Sequence, residues 1–289
     1  QKPFRVLSQR LARHGFNVFR WDDRGVGQSQ GDYLACCAND LDGDTLAAMR
    51  RLRDETRDAR FALAGHSQGA IFAARAAARH PNLVDAVVLL AGMGKPGRQV
   101  LLEQHETACR AEGWSDDEIK DSLRQKNRLF DALTAADVAI AQGHPKAEIL
   151  HELEAELRSL LIGDLAPTAL SADDQLALVE TVSDLLEWEC RFLLSVDPAN
   201  DLRRLSCRVL AMTGDKDVQV DAATNLDAIR RACEAGADAE IETRILDGHN
   251  HLFQETSTGA ISEYPSSGEP FSERACAMIA NWLAKQGDG

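Results

Sequence analysis

The stretch Phe61-Ala62-Leu63-Ala64-Gly65-His66-Ser67-Gln68-Gly69 decides how this chain folds. It opens as a short apolar run of the kind that forms a buried strand, and the alanine-rich residues 70–79 after it have the pattern of a helix. Residues 65–69 match G-x-S-x-G, whose glycines leave room for a sharp turn that lifts a serine hydroxyl to the end of a sheet. We therefore predict strand, tight turn and helix, with Ser67 as a nucleophile. The alternative is a plain Ser-Gly turn without chemistry.

The sequence on both sides of this stretch alternates between strand and helix patterns. Residues 16–21 form a β-rich run ahead of it, and residues 43–59 have the spacing of an amphipathic helix. Further strands are predicted at residues 84–91, 208–213 and 240–246, and further helices at residues 222–235 and 271–285. Such alternation is typical of a mostly parallel sheet flanked by crossover helices, so we predict the α/β fold class.

About a hundred residues of helical pattern, residues 98–195, interrupt this alternation. We therefore predict an α/β core of residues 1–97 and 196–289 with a helical insertion of residues 98–195. Because the insertion joins two strands at the end of the sheet where a site is expected, it should cover a substrate pocket. The candidates to line that pocket are the large apolar residues Leu129, Phe130, Trp188 and Phe192. A place between packed helices is the more common role for any one of them.

The composition argues against several classes of protein. The chain has 289 residues, enough to bury a full core, and 32 basic against 46 acidic residues give a net charge of −14. Proteins that bind nucleic acid or anionic membranes usually present clustered Lys and Arg, so we expect neither partner. The longest apolar run, residues 86–91, is too short to span a bilayer. We expect a small-molecule substrate, and the sequence does not indicate an oligomeric state.

The cysteines point to neither a metal site nor a disulfide scaffold. Seven cysteines stand at irregular spacing, and no C-x-x-C pair is present. Small disulfide-stabilised domains have a much higher cysteine density. We therefore expect inert thiols, no metal, and a reducing, cytoplasmic compartment. A periplasmic or secreted location stays open, because a signal peptide could precede the sequence.

A nucleophilic serine needs a histidine as base and a carboxylate that orients the base. Asp215 and Asp217 lie in the loop after one predicted strand, and His249 and His251 lie in the loop after the next. Together with the serine turn, these loops follow the carboxyl ends of predicted strands, where open α/β sheets place their sites. Along the chain the serine comes first, the acid second and the histidine third, and this order also fits a nucleophilic serine with its base and carboxylate.

The chain resembles the α/β-hydrolases of the carboxylesterase and serine-aminopeptidase-like group. The matching stretches extend over nearly the whole chain and are Asp22-Asp23-Arg24-Gly25-Val26-Gly27, Gly65-His66-Ser67-Gln68-Gly69, Ser195-Val196-Asp197-Pro198, Gly214-Asp215-Lys216-Asp217-Val218-Gln219-Val220 and Asn250-His251-Leu252-Phe253-Gln254. The resemblance implies that the acid is Asp217 and the base is His251. It also implies that the helical insertion is a cap over the active site.

Neighbouring residues have plainer interpretations. Asp215 is expected to be a solvated loop residue, and it and His249 remain the alternatives for acid and base. His66 is interpreted as a residue that packs and hydrogen-bonds within the turn. Asp23 and Arg24 are expected to tie loops together by an ion pair, with direct substrate contact as the alternative.

The resemblance implies a serine hydrolase that cleaves small acyl esters without a cofactor. Ser67 would attack the carbonyl, His251 would accept its proton, Asp217 would orient the imidazole, and the backbone N–H of Gln68 would hold the oxyanion. The same triad permits an aminopeptidase or aminoacyl-amide hydrolase. A non-catalytic protein that binds a ligand in a hydrolase fold is the alternative from a different class.

The resemblance also reveals a departure near the start of the sequence. Related proteins carry further strands and a loop upstream, and that loop supplies a second oxyanion donor. The strand leading into it lies centrally, between the strands predicted at residues 16–21 and 60–65. We therefore expect a fragment that lacks its first strands, folds poorly alone and hydrolyses esters weakly, since one lost donor costs about 10²–10³ in rate.

Overall fold

A four-stranded parallel sheet lies at the centre of the computed structural model, which describes residues 3–56, 59–162, 171–236 and 238–285. Its strands, in spatial and chain order, are β1 (Ala62–His66), β2 (Ala86–Leu90), β3 (Arg208–Gly214) and β4 (Glu240–Leu246). All three pairings are parallel. Every residue of β2 is buried, as expected for an inner strand covered on both faces. The predicted α/β fold class is confirmed.

Eleven α-helices occur in the described part of the chain. They are α1 (Pro3–Arg13), α2 (Ala38–Glu55), α3 (Gln68–Arg79), α4 (Gly97–Ala111), α5 (Asp116–Ala141), α6 (Lys146–Ile162), α7 (Ala172–Leu186), α8 (Trp188–Ser195), α9 (Ala199–Leu202), α10 (Ala222–Ala235) and α11 (Glu273–Ala284). Short 3₁₀ helices cover Pro81–Leu83 and Ile261–Ser266. None of the described helices is both long and apolar enough to cross a membrane.

The residues divide into two units. One comprises Gln1–Tyr33, Asn39–Pro96 and Asp197–Gly289 and contains the sheet. The other comprises Leu34–Ala38 and Gly97–Val196, and all the regular secondary structure in its described part is helical.

Helices cover both faces of the sheet, because successive side chains of a strand point to opposite sides. Val87 and Leu89 of β2 join a buried cluster with side chains of α2, α3 and α10. Val88 and Leu90 join a second cluster with side chains of α1 and α11. The α/β unit is therefore a three-layer structure with the sheet in the middle.

The strand predicted at residues 16–21 does not form. These residues have no regular secondary structure, and Val18, Phe19 and Trp21 are 39%, 50% and 42% exposed. β-rich composition makes a strand only where a neighbouring strand accepts its backbone hydrogen bonds, and no described residue pairs with this segment. The helix predicted at residues 43–59 forms with earlier bounds, Ala38–Glu55.

The helical unit has a hydrophobic core of its own. Leu133 of α5 and Leu157 of α6 are fully buried in it, and Val182 of α7 joins them. Helix α5 begins at a capping box, in which Ser115 and Glu118 satisfy each other's backbone N–H groups. The unit therefore contains both the buried apolar surface and the helix caps that stabilise a helical fold.

Candidate active site

Ser67 sits on a strained turn between β1 and α3. Its backbone has φ 54° and ψ −121°, a conformation that residues other than glycine rarely adopt. Two backbone hydrogen bonds hold the turn, since Ser67 N donates to Leu90 O at 2.8 Å and Ala70 N donates to Ser67 O at 3.0 Å. The first bond extends the pairing with β2 by one residue. The turn therefore has the geometry expected of a nucleophile at the end of a strand.

The two glycines of the turn are not equivalent. A Cβ on Gly65 would lie 2.1 Å from the carbonyl oxygen of Gly69, so no side chain fits there. A Cβ on Gly69 would meet nothing within 4 Å. The close approach of strand and helix requires glycine at the first position only.

Gln68 begins α3, and the first amides of a helix have no carbonyl partner within it. Its backbone N–H is thus available to a developing negative charge beside Ser67. The side-chain Nε2 of Gln68 is buried and has no hydrogen-bond partner among the described residues.

Asp217 and His251 form a buried pair in the loops after β3 and β4. His251 Nδ1 lies 2.8 Å from Asp217 Oδ2, with the two side chains 5% and 0% exposed. The other carboxylate oxygen, Oδ1, accepts hydrogen bonds from the backbone N–H groups of Gln219 at 2.8 Å and Val220 at 2.9 Å. A carboxylate partner keeps the hydrogen of a neutral imidazole on Nδ1 and leaves Nε2 free to accept a proton.

Asp215 and His249, the alternative candidates for acid and base, form hydrogen bonds with the backbone of the loops instead. Asp215 Oδ1 accepts from Gly248 N at 2.5 Å and thereby links the two loops. His249 is 1% exposed and directs Nδ1 to the carbonyl oxygen of Asp247 at 2.8 Å. Its Nε2 is buried and has no partner in the part of the chain that the structure describes. Neither residue joins the Asp217–His251 pair.

The histidine loop is held by residues to which the sequence analysis assigned no role. Asn250 Oδ1 accepts from Leu252 N and Gln254 N, both at 3.0 Å, and Asn250 Nδ2 donates to Gln254 Oε1 at 3.1 Å. Phe253, which is fully buried, has φ 58°. In the sequence, the signal for this brace was the pair of amide side chains on either side of His251 in the N-H-L-F-Q motif, because buried amides brace tight loops.

A second brace lies in the segment after the histidine loop. Glu263 accepts hydrogen bonds from the hydroxyls of Thr256 and Thr258 and from two backbone N–H groups. These donors lower the pKa of Glu263 to about 2. The next residue, Tyr264, accepts a hydrogen bond at 3.0 Å from the side chain of Gln219, which lies two residues after Asp217. The segment is thus tied to the loop that carries Asp217.

His66 connects the serine turn to the histidine loop. Its Nε2 lies 2.7 Å from the carbonyl oxygen of His251, and the two imidazole rings meet edge-on at 4.8 Å. Among the described residues, Ser67 Oγ has no hydrogen-bond partner. Ser67, His251 and Asp217 therefore belong to three adjoining loops of one unit, with the His251–Asp217 hydrogen bond already formed.

Arg24 is held by an ion pair, as predicted, but its partners lie on a helix rather than on another loop. Its guanidinium contacts the carboxylate of Asp44 through Nε and Nη2, both at 2.8 Å, and that of Asp40 at 3.1 Å. Both partners lie on α2. The loop of residues 22–27 is thereby anchored to that helix.

The four predicted pocket residues belong to the helical unit. Leu129 and Phe130 are 6% and 2% exposed within its core, which is the more common role foreseen for them. Trp188 is also buried, and its ring lies 6.2 Å from that of the half-buried Phe192. Their contact with substrate stays a prediction.

Comparisons with known proteins give a family match and a relative that is similar over part of the chain. Residues 3–160 match the model of the serine aminopeptidase family, S33. A putative non-heme haloperoxidase of Mycobacterium phage D29 is 36% identical over 89 residues, and this stretch spans 31% of this chain and 31% of the relative.

Solved structures with a similar fold come from several organisms. A monoacylglycerol lipase of Paleococcus ferrophilus is 17% identical, with a TM-score of 0.53 over 97% of this chain and 88% of its own. A proline iminopeptidase of Mycobacterium smegmatis is 16% identical, with a TM-score of 0.51 over 98% and 85%. A carboxylesterase of Nitrososphaera gargenis is 19% identical, with a TM-score of 0.50 over 98% and 85%. At these identities the similarity is one of fold. The chain has the α/β-hydrolase fold and belongs to the S33 serine aminopeptidase family.

Proposed function

We propose that this protein is a serine hydrolase that cleaves small carboxylic esters through an acyl-enzyme on Ser67. The observation that carries the proposal is the buried His251–Asp217 hydrogen bond of 2.8 Å, in the same unit as the strained serine turn. An imidazole held by a carboxylate at Nδ1 is prepared to act as a base through Nε2.

The chemistry follows from this arrangement. Ser67 Oγ attacks the ester carbonyl carbon while His251 Nε2 takes the hydroxyl proton, and the resulting imidazolium is stabilised by Asp217. The oxyanion accepts a hydrogen bond from the backbone N–H of Gln68. Collapse of the tetrahedral intermediate breaks the ester C–O bond, and His251 returns the proton to the departing alcohol. Water then attacks the acyl-enzyme by the same route and releases the acid. These steps require neither metal nor cofactor.

Similar proteins support the ester substrate and one alternative. The lipase and carboxylesterase among the structural neighbours act on esters by their names, whereas the family description and the iminopeptidase neighbour concern peptides. Aminoacyl-amide hydrolysis is therefore the second candidate. The ester and amide reactions would use the same triad.

A fluorophosphonate probe tests the enzyme class, because it labels only an activated serine. We expect covalent labelling at Ser67 and none in Ser67→Ala. Ligand binding without labelling would instead favour a non-catalytic binding protein. Turnover of a short-chain aryl ester against an aminoacyl anilide separates the two enzyme candidates.

The triad assignment is tested by paired substitutions. Asp217→Asn should lower ester hydrolysis by about 10⁴-fold, because an amide no longer holds the imidazole in the required tautomer. Asp215→Asn, the matched control two residues away, should retain most activity. His251→Ala should be as inactive as Ser67→Ala. Loss of activity in Asp215→Asn with retention in Asp217→Asn would contradict the assignment.

A further inference from the structure

His66 makes a hydrogen bond to the backbone that carries the proposed base. It is the last residue of β1, and its Nε2 lies 2.7 Å from the carbonyl oxygen of His251, 185 residues away in sequence. A carbonyl oxygen only accepts hydrogen bonds, so Nε2 carries the hydrogen and donates it. Within the described residues, this is the only hydrogen bond to that carbonyl.

The His66 ring also contacts the base directly. The rings of His66 and His251 meet edge-on, with centroids 4.8 Å apart and planes at 62°. On its other sides the His66 ring packs against Phe4 at 5.4 Å and Phe253 at 6.3 Å. A ring confined in this way limits how the neighbouring imidazole can tilt.

His66 is neutral at the pH at which a serine hydrolase works. Burial lowers the pKa of His66 to about 4, and the proximity of His251 lowers it too, against the opposing effects of the carbonyl of His251 and the charge of Asp217. A neutral neighbour is important because His251 itself becomes positive when it takes the serine proton. A second positive charge beside it would oppose that step.

We propose that His66 is a positioning residue, whose Nε2 hydrogen bond holds the backbone of His251 in place relative to Ser67. The inference rests on the proposed function, because it concerns the base of that reaction. Asp217 sets the rotation of the imidazole from Nδ1, whereas His66 sets the position of the loop that carries it. Since His66 and Ser67 are consecutive residues, this hydrogen bond ties the loop that carries His251 directly to the serine turn.

Two substitutions at this position separate the hydrogen bond from the ring. His66→Gln retains an N–H donor at the reach of Nε2 but has no ring, and His66→Phe retains a ring but has no donor. We expect His66→Phe to lower kcat for a short-chain aryl ester by about 10- to 100-fold, since misplacing a catalytic group by 1 Å costs about 10²-fold. KM should stay within about threefold, because substrate binding is not involved.

His66→Gln should restore kcat to within about fivefold of the wild type, because the donor is retained. His80→Phe is the matched control, since His80 lies at the far end of α3, away from the proposed site. Thermal unfolding of each variant is recorded in parallel to measure the stability of the fold.

The outcomes distinguish the inference from the function on which it rests. Wild-type turnover no higher than that of Ser67→Ala would overturn both. An active wild type with unchanged kcat in His66→Phe would overturn the positioning role alone. Equal losses of kcat in the Phe and Gln variants would also overturn it, because the donor would then not be what matters. Loss in Phe, recovery in Gln and no effect of His80→Phe would support it.

Discussion

At the scale of single residues, the serine turn makes opposite demands on its two glycines. A Cβ at Gly65 would overlap the carbonyl of Gly69, whereas a Cβ at Gly69 would meet open space. We expect Gly65→Ala to lower the free energy of unfolding by more than about 2 kcal/mol, because strand or helix must shift. Gly69→Ala should stay within about 1 kcal/mol of the wild type, since alanine favours a helix. Thermal or urea unfolding checks both, and similar losses in the two variants would contradict the close approach.

Residues at the site differ in how far the sequence alone could identify them. Ser67 was predictable because the G-x-S-x-G pattern and its strand and helix are all local. Asp217 and His251 each have a rival two residues away, and local pattern does not separate them. The choice came from the resemblance to a family, and the fold pairs these two side chains by closing a gap of 34 residues. The contact between His66 and His251 has no sequence signal.

At the scale of elements, the segment around Glu263 should confer stability that depends on pH. Its hydrogen bonds lower the pKa of Glu263 to about 2, below the value of about 4.3 of an unfolded chain. A lowered pKa means stability that is fully present above pH 4.3 and is lost as the pH falls towards 2.

Glu263→Gln should therefore lower the melting temperature at pH 7, and the difference from the wild type should shrink between pH 5 and pH 3. The exposed Glu255 in the same region provides the control Glu255→Gln, which should show no such trend. A difference that stays constant over this pH range would show that the carboxylate charge of Glu263 is not responsible.

Phe192 and Phe130 of the helical unit, both predicted to line a pocket, differ in burial. Phe192 is half-buried, whereas Phe130 is 2% exposed in the core of that unit. Phe192→Ala should shift the preferred ester length while the rate on the smallest ester changes little. Phe130→Ala should instead cost about 3–5 kcal/mol of stability. Rates across an ester series and an unfolding curve for each variant test this, and a uniform loss in Phe192→Ala would contradict a role in specificity.

At the scale of the whole molecule, β1 and the segment before it favour self-association. Within the described residues, β1 has a neighbouring strand on one side only. Phe19 and Trp21, 50% and 42% exposed, stack on each other with ring centroids 5.8 Å apart. Open strand edges and exposed apolar patches promote association between chains.

We therefore expect residues 1–289 to associate in solution, and the double change Phe19→Lys with Trp21→Lys to reduce that association. Light scattering after size exclusion measures the mass. Leu176→Lys, at a 59% exposed apolar position of the helical unit, is the control and should leave the association unchanged. A monomeric wild type would contradict the expectation.

The sequence by itself determined the elements whose patterns are long or internally consistent: the four strands of the sheet, the helices between β2 and β3, and the serine turn itself. It failed at residues 16–21, because a strand depends on a partner that local composition does not reveal. Only the tertiary structure brings Asp217 and His251, the pair that the family resemblance implies, into contact, and only it shows which side chains brace the loops. Those contacts join residues far apart in sequence, so they can stabilise the structure only once the sheet has brought the loops together.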